Sequence, residues 1–261
     1  MNGNVNTESK KSGSNFLLEI FARIWALWAV VAFATTFLIV FLPCIATKLI
    51  KDRKQGQWVF ISITKVWLRV WLFLIACPFK VKGKENFIKG KTYVVTCNHN
   101  SLLDPTVTCP FIPGANKTIA KISFAKIPIF GLYYSIGSVL VDRKDSKSRL
   151  KSFEDMKKVV EQKMHMLVYP EGTRNTTDEP LKQFFDGAFS LAIRTHTEIL
   201  PAILTNTEKA APANKTFYFL PHRITLEFLP AVSSEGKNAA TLKEEVHNIM
   251  YKKIQENRAK K

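Results

Sequence analysis

The chain has 261 residues, 46% of them hydrophobic, and a formal charge of +17. That length suits one large domain or a medium domain with an appendage. No zinc-finger spacing, aromatic RNA-binding signature or basic leucine zipper accompanies the charge, which argues against nucleic acid and leaves an anionic membrane, an acidic substrate or a generally basic surface.

Residues 1–15 are polar, rich in Asn, Ser and Lys, and are expected to be disordered. Positions 26–47 carry no charge. As a helix such a run measures about 33 Å, enough for a hydrocarbon core of about 30 Å. A cleaved signal peptide fits poorly, because the run is long for its apolar part and Pro43-Cys44 before Lys48 makes a poor cleavage site. The tryptophans cluster between positions 25 and 71, as in a membrane-facing module. Next, KLIKDRKQGQ (48–57) sets Lys48, Lys51, Arg53 and Lys54 against Asp52, and by the positive-inside rule it is cytoplasmic. A second apolar segment, 58–79, carries Lys65 and Arg69 on one helical face. At mid-bilayer each would cost about 2.5–3.5 kcal/mol, so this helix is expected to lie in the interface, with everything after residue 80 cytoplasmic. Two full crossings would reach the same side only with the basic loop outside, and a shallow hairpin entering from the cytoplasmic side and bending at Pro43 is a third option.

From residue 80 strand and helix patterns alternate. Strands are expected at 92–97, 117–121, 138–142, 165–170, 198–204 and 223–228, and helices at 146–163 and 187–195. A charged amphipathic helix at 239–260 closes the chain. The expected fold is α/β, a mixed and largely parallel sheet flanked by helices over 80–261, preceded by a two-helix membrane-anchoring module over 16–79. Cys44, Cys77, Cys97 and Cys109 form no C-x-x-C pair or metal-ligand spacing, which suits a reducing compartment and no bound metal.

TCNHNSLLDPT (96–106) places His99 and Asp104 five residues apart. On one regular helix they would point apart. Pro105 disfavours helical geometry at Asp104 and suits the first helical position, so strand, loop and new helix can fold the carboxylate back onto the imidazole. A carboxylate on Nδ1–H fixes the tautomer and leaves Nε2 as a base. A plain helix cap at Asp104 explains the residue equally well at this point. YPEGTR (169–174) follows another strand; Gly172 permits a tight turn that can aim backbone N–H groups at an anion, and Arg174 offers a fork for phosphate. Arg143 lies just beyond the strand in GSVLVDR (137–143), and Pro201 sits in or beside the strand of ILPAI (199–203), where it suggests an edge, a bulge or an end.

In order, NHNSLLD, GSVLVDR, EGTR and ILPAI resemble the four motifs of the glycerolipid acyltransferases, most of all the bacterial 1-acyl-sn-glycerol-3-phosphate acyltransferases. SFAKIPIFG (123–131) resembles the segment between the first two motifs, and the likeness spans about 80–204. The resemblance implies acyl transfer from acyl-CoA or acyl carrier protein, with no other cofactor, to the sn-2 hydroxyl of lysophosphatidate at the cytoplasmic face of a bacterial inner membrane rich in anionic lipids. By that likeness His99 is the base and Asp104 its orienter. Glu171, Gly172, Thr173 and Arg174 bind the acceptor phosphate, Arg143 helps, and Lys121 supports phosphate or oxyanion. The lack of a G-x-S-x-G elbow agrees with direct attack on the thioester. One departure is QFFDGAF (183–189): Asp186 stands where many relatives carry lysine, and an acid beside a phosphate pocket must point away or pair with a base such as Lys182. Another lyso-lipid acceptor, such as a lyso-amino-acid lipid, and a non-catalytic membrane lipid-binding protein are the competing readings.

Overall fold

The computed structural model describes residues 5–259, with side chains from Phe16 onward. Helix α1 (Val5–Ala46) and helix α2 (Arg53–Leu74) form an antiparallel hairpin. The polar arm expected over 1–15 lies outside the described residues at 1–4. From Val5 the backbone already belongs to α1, an extension that helix formers such as Glu8, Lys10 and Lys11 favour. The hairpin turns at 47–52 rather than at Pro43, which stays inside α1. Helix α2 starts five residues before the expected apolar segment because Asp52 caps it, its Oδ1 accepting from the N–H groups of Lys54 (2.8 Å) and Gln55 (3.0 Å). Half of the basic loop is therefore the first turn of α2.

The uncharged run is not uniform. Ala22, Ala26, Ala29 and Ala32 recur at helical spacing and are all buried, giving a smooth face against which the partner helix lies close. Indole N–H groups stitch the pair. Trp28 donates to Leu74 O (2.9 Å), Trp71 to Ala29 O (3.0 Å) and Trp67 to Thr36 Oγ1 (2.8 Å). Leu38, Ile39 and Leu42 of α1, with Val66, Val70 and Phe73 of α2, face outward and are exposed. Arg69 instead lays its guanidinium over the Phe111 ring at 5.9 Å, toward the rest of the chain. By length and composition both helices could cross a bilayer. Yet both ends of the hairpin rest on the α/β part: Gln57 Nε2 donates to Asn116 O (2.8 Å) at the tip, and Phe219 N–H donates to Ala22 O (3.2 Å) at the base.

The rest follows the expected alternation with one added strand. Strand β1 (Phe79–Lys82) was too short to read as a strand. It is followed by β2 (Tyr93–Cys97), α3 (Asp104–Thr108), β3 (Asn116–Lys121), α4 (Phe130–Ile136), β4 (Ser138–Val141), α5 (Ser146–Glu161), β5 (His165–Val168), α6 (Gly187–Arg194), β6 (Glu198–Thr205), α7 (Thr207–Ala210), β7 (Ile224–Phe228) and α8 (Ala239–Ala259). The seven-stranded sheet has the order β1-β7-β6-β2-β5-β3-β4. Strands β6, β2, β5, β3 and β4 run parallel, and β7 pairs antiparallel to β6. The hairpin, α3 and α4 cover one face; α5, α6 and α8 cover the other. Burial on both faces explains why β2 and β5 read as unbroken apolar runs.

Pro201 does not mark an edge. It sits inside β6, opposite Thr96 of β2, and its carbonyl accepts from Leu229 N–H (2.8 Å). Its missing N–H falls on the side where β7 has ended, between the Ala202–Phe228 pair and the Ile199–Val232 bridge. A ladder gap in the partner accommodates it, which is the bulge alternative realised in the neighbouring strand.

Candidate active site

The parallel strands bring the ends of β2, β5, β3 and β4 to one edge of the sheet, where ligand sites of open α/β folds gather. His99 lies in the loop after β2 and Asp104 opens α3. Their separation is 2.8 Å from Nδ1 to Oδ2, with the imidazole 16% exposed and the carboxylate 1% exposed. The same Oδ2 accepts from the N–H groups of Asn100 (2.6 Å) and Ser101 (2.8 Å). Asp104 thus holds the imidazole and ties down the loop before α3 at once; it does not cap its own helix, whose N-cap position is Leu103 with no side-chain hydrogen bond. With Nδ1 engaged, Nε2 is left to take a proton.

The loop is clamped from below. Asn98 Nδ2 donates to Leu204 O (2.9 Å), and Asn98 Oδ1 accepts from Leu204 N–H (2.7 Å). His99 N–H donates to Glu171 Oε1 (2.7 Å), and Asn175 N–H donates to His99 O (2.6 Å). Both backbone groups of His99 are therefore fixed by the segment after β5. Asn98 and Asn175 escaped sequence reading because their partners are distant in the chain.

Glu171 is turned away from the open site. It is 1% exposed, and its second oxygen accepts from Lys182 N–H (3.0 Å). Burial pushes its carboxyl up, while the N–H groups of Lys182 and His99 pull it back. It braces His99 rather than meeting an anion. The expected N–H cradle at Gly172 is also absent: Gly172 N–H donates to Tyr169 O (3.0 Å) and Thr173 N–H to Glu171 O (2.8 Å). What the turn offers outward is side chain. Lys182 Nζ donates to Thr173 Oγ1 (2.6 Å), and the half-buried Arg174 makes no hydrogen bond or ion pair among the described residues. Lys182 joins the site by folding back over the turn, a charge that sequence spacing did not reveal.

Gly172 has φ +70°, a left-handed conformation that suits glycine. A Cβ there would lie 2.7 Å from Cε2 of Phe185, but that ring is exposed and can swing aside. Gly172→Ala is therefore expected to lose mainly backbone strain, about 1–2 kcal/mol, read as a fall of a few degrees in Tm.

Lys121 and Arg143 stand at the ends of β3 and β4 on the same edge, exposed and adjacent. The sheet order puts them two and three strands from β2, about 10 and 14 Å across at ordinary strand spacing. The Tyr134 phenol lies beside the Arg143 charge and the Lys121 backbone, and burial pushes it up to about 12. Asp186 points away from this site to Lys243 (2.7 Å) and not to Lys182. An apolar cavity of about 90 Å³ lies against Pro105 and Thr106 and is walled by Phe60, Trp67, Phe130 and Tyr133. Among the described residues no group of His, Cys, Asp or Glu could hold a metal ion.

The acyltransferase family model matches residues 78–205, from just before β1 to the end of β6, and so takes in His99, Asp104, Lys121, Arg143, Glu171, Arg174 and Lys182. Residues 78–205 form an acyltransferase-family domain. The chain is 29% identical over 170 residues to a 1-acyl-sn-glycerol-3-phosphate acyltransferase of Limnanthes douglasii, covering 64% of this chain and 58% of that protein. It is 30% identical over 165 residues to one of Saccharomyces cerevisiae, covering 61% and 52%. It is 26% identical over 181 residues to the beta enzyme of Homo sapiens, covering 69% and 64%. The chain thus spans between about half and two thirds of these relatives' length. In fold it is similar to the crystal structure of a 1-acyl-sn-glycerophosphate acyltransferase of Thermotoga maritima, with TM-score 0.78 and 20% identity, covering 92% of this chain and 97% of the other. That likeness includes the hairpin as well as the acyltransferase α/β unit.

Proposed function

We propose that this chain transfers an acyl group from an acyl-CoA or acyl carrier protein thioester to the sn-2 hydroxyl of 1-acyl-sn-glycerol 3-phosphate, giving phosphatidate and a free thiol. The carrying observation is the His99–Asp104 pair at 2.8 Å beside the free Arg174. Nε2 of His99 removes the hydroxyl proton as the oxygen attacks the thioester carbon. The C–S bond then breaks, and the thiolate takes the proton back from the imidazolium. Asp104 holds the tautomer and stabilises the imidazolium between the two steps. Arg174 and Lys182 hold the acceptor phosphate. Lys121 and Arg143, farther along the edge, reach outer phosphate oxygens more readily than the reacting carbon. The apolar cavity beside Pro105 accepts part of an acyl chain.

The hairpin supplies the membrane. With both ends resting on the α/β part, α1 and α2 lie along one leaflet, their apolar outer face in the lipid and the basic tip at Lys48, Lys51, Arg53 and Lys54 among anionic headgroups. The acyltransferase unit then sits on the cytoplasmic side of a bacterial inner membrane. The Asp186–Lys243 pair turns that carboxylate away from the phosphate site, which supports a phosphorylated acceptor.

An acceptor panel tests the reading. With one thioester donor, turnover on lysophosphatidate should exceed that on glycerol 3-phosphate, lysophosphatidylethanolamine and a monoacylated amino acid. Faster turnover on an acceptor without a phosphate would overturn it.

A further inference from the structure

Three elements meet beyond the outer strand of the sheet and enclose a cleft of about 630 Å³. Residues 138–140 of β4, the last strand in the sheet order, form its floor. One wall is the tip of the hairpin, through Lys48, Ile50 and Arg53. The other is a stripe of α5, where Ser148, Lys151, Asp155 and Val159 recur at helical spacing. The bond from Gln57 to Asn116 O holds the tip there. Arg53 lies one turn before Gln57 on α2, and Lys117 follows Asn116 in β3, so the same bond brings both cations to the cleft.

The lining is basic and unneutralised. Lys48, Arg53, Lys117 and Lys151 make no hydrogen bond or ion pair among the described residues. Asp155 is the one carboxylate among the described lining residues, and Lys158 already holds it at 3.2 Å. Lys117 is half-buried, and burial, then the charges of Arg53 and Lys48, holds its pKa below the usual lysine value. Like charges gathered around one cleft repel one another unless an anion shares it. The surroundings are apolar. Leu49, 85% exposed, stands between Lys48 and Ile50 at the tip. Ile122 lines the cleft and opens a run of exposed apolar side chains, Phe124, Ile127, Ile129 and Leu132. A basic cleft flanked by exposed apolar groups suits an amphiphile with an anionic head better than a free anion.

We propose that this cleft binds the phosphate headgroup of one anionic membrane phospholipid, whose chains lie along Leu49 and the 122–132 segment. The site is separate from the acyl-transfer chemistry. Lys117 is level with Met166 of β5, and through it with Val94 of β2. That places it about 16 Å along the strands and about 10 Å across them from His99. The proposal rests on the placement of the hairpin along one leaflet, as read above, and not on the reaction.

General attraction of a basic tip to anionic lipid weighs every cation alike, whereas a built cleft does not. Lys51 and Lys54 belong to the same tip but do not line the cleft. The experiment titrates phosphatidylglycerol or phosphatidylcholine into the full chain in detergent micelles and counts retained lipids by native mass spectrometry. Wild type should retain one phosphatidylglycerol in preference to phosphatidylcholine. Lys117→Met should weaken that retention by about tenfold or more, the loss of a charge-assisted bond to phosphate. Lys51→Met and Lys54→Met should stay within about twofold of wild type, as exposed charges do. No preference in wild type, or equal losses in all three variants, would overturn the proposal. If Lys117→Met does not fold, Lys151→Met, on the exposed side of α5, decides on the same criterion. Displacement by inorganic phosphate or free CoA at the lipid's own concentration would show a site that reads the anion alone and would overturn the lipid assignment. Turnover on lysophosphatidate, measured on the same preparations, keeps the two readings apart. An active protein without selective retention would remove this site, and an inactive one with it would remove the proposed acyl transfer.

Discussion

Replacing His99 with alanine is expected to lower kcat by about 10²- to 10⁴-fold, the range usual for loss of a general base. The fold should survive. The loop is held by Asn98, Glu171 and Asn175 through backbone groups that alanine keeps, and Asp104 still ties down the loop through Asn100 and Ser101. Asp104→Asn should be nearly as damaging by a different route. The amide can present an N–H to Nδ1, which favours the wrong tautomer and removes the charge that stabilises the imidazolium. It also replaces the acceptor that two buried N–H groups share. A Tm within a few degrees of wild type alongside the loss of turnover in His99→Ala would separate chemistry from folding. Turnover within about tenfold of wild type would remove His99 from the base role.

Arg174→Ala is expected to act on the acceptor rather than the chemistry. A charge-assisted bond to phosphate contributes about 1.5–3 kcal/mol, so kcat/KM for lysophosphatidate should fall by about 10- to 150-fold. The loss should fall mainly on KM, because the phosphate is bound alike before and during reaction. Arg174→Lys should recover only part, since an ammonium lacks the planar fork. Lys182→Met should raise KM more modestly while leaving Glu171 braced, because the backbone N–H and not the ammonium holds that carboxylate. The check is steady-state kinetics with acceptor varied at saturating donor; an unchanged acceptor KM in Arg174→Ala would count against the phosphate site.

What the sequence exposed and what it hid divide by range. The strands at 92–97 and 165–170 were legible because burial on both faces leaves an apolar run, and α5 because its stripe repeats every turn. His99 and Asp104 were legible as a pair because Pro105 suits the first turn of a helix, which marks α3 as opening at Asp104 after a loop that can fold back. Groups joined only by the fold stayed hidden. Asp186 meets Lys243 from 57 positions away, and Asn98 meets Leu204 from 106. The likeness of EGTR to the family motif groups Glu171 with Arg174 at the phosphate, yet the turn at Gly172 leaves Glu171 buried and Arg174 half-buried. Hydropathy showed that the first helix is apolar but not that its alanines face inward.

The most direct test supplies purified protein in detergent with oleoyl-CoA and lysophosphatidate, and follows phosphatidate by mass spectrometry together with free CoA thiol. One phosphatidate per thiol in wild type, and none above background in His99→Ala, is the expected result. Thiol release without phosphatidate, or equal product from both proteins, would contradict acyl transfer by this site.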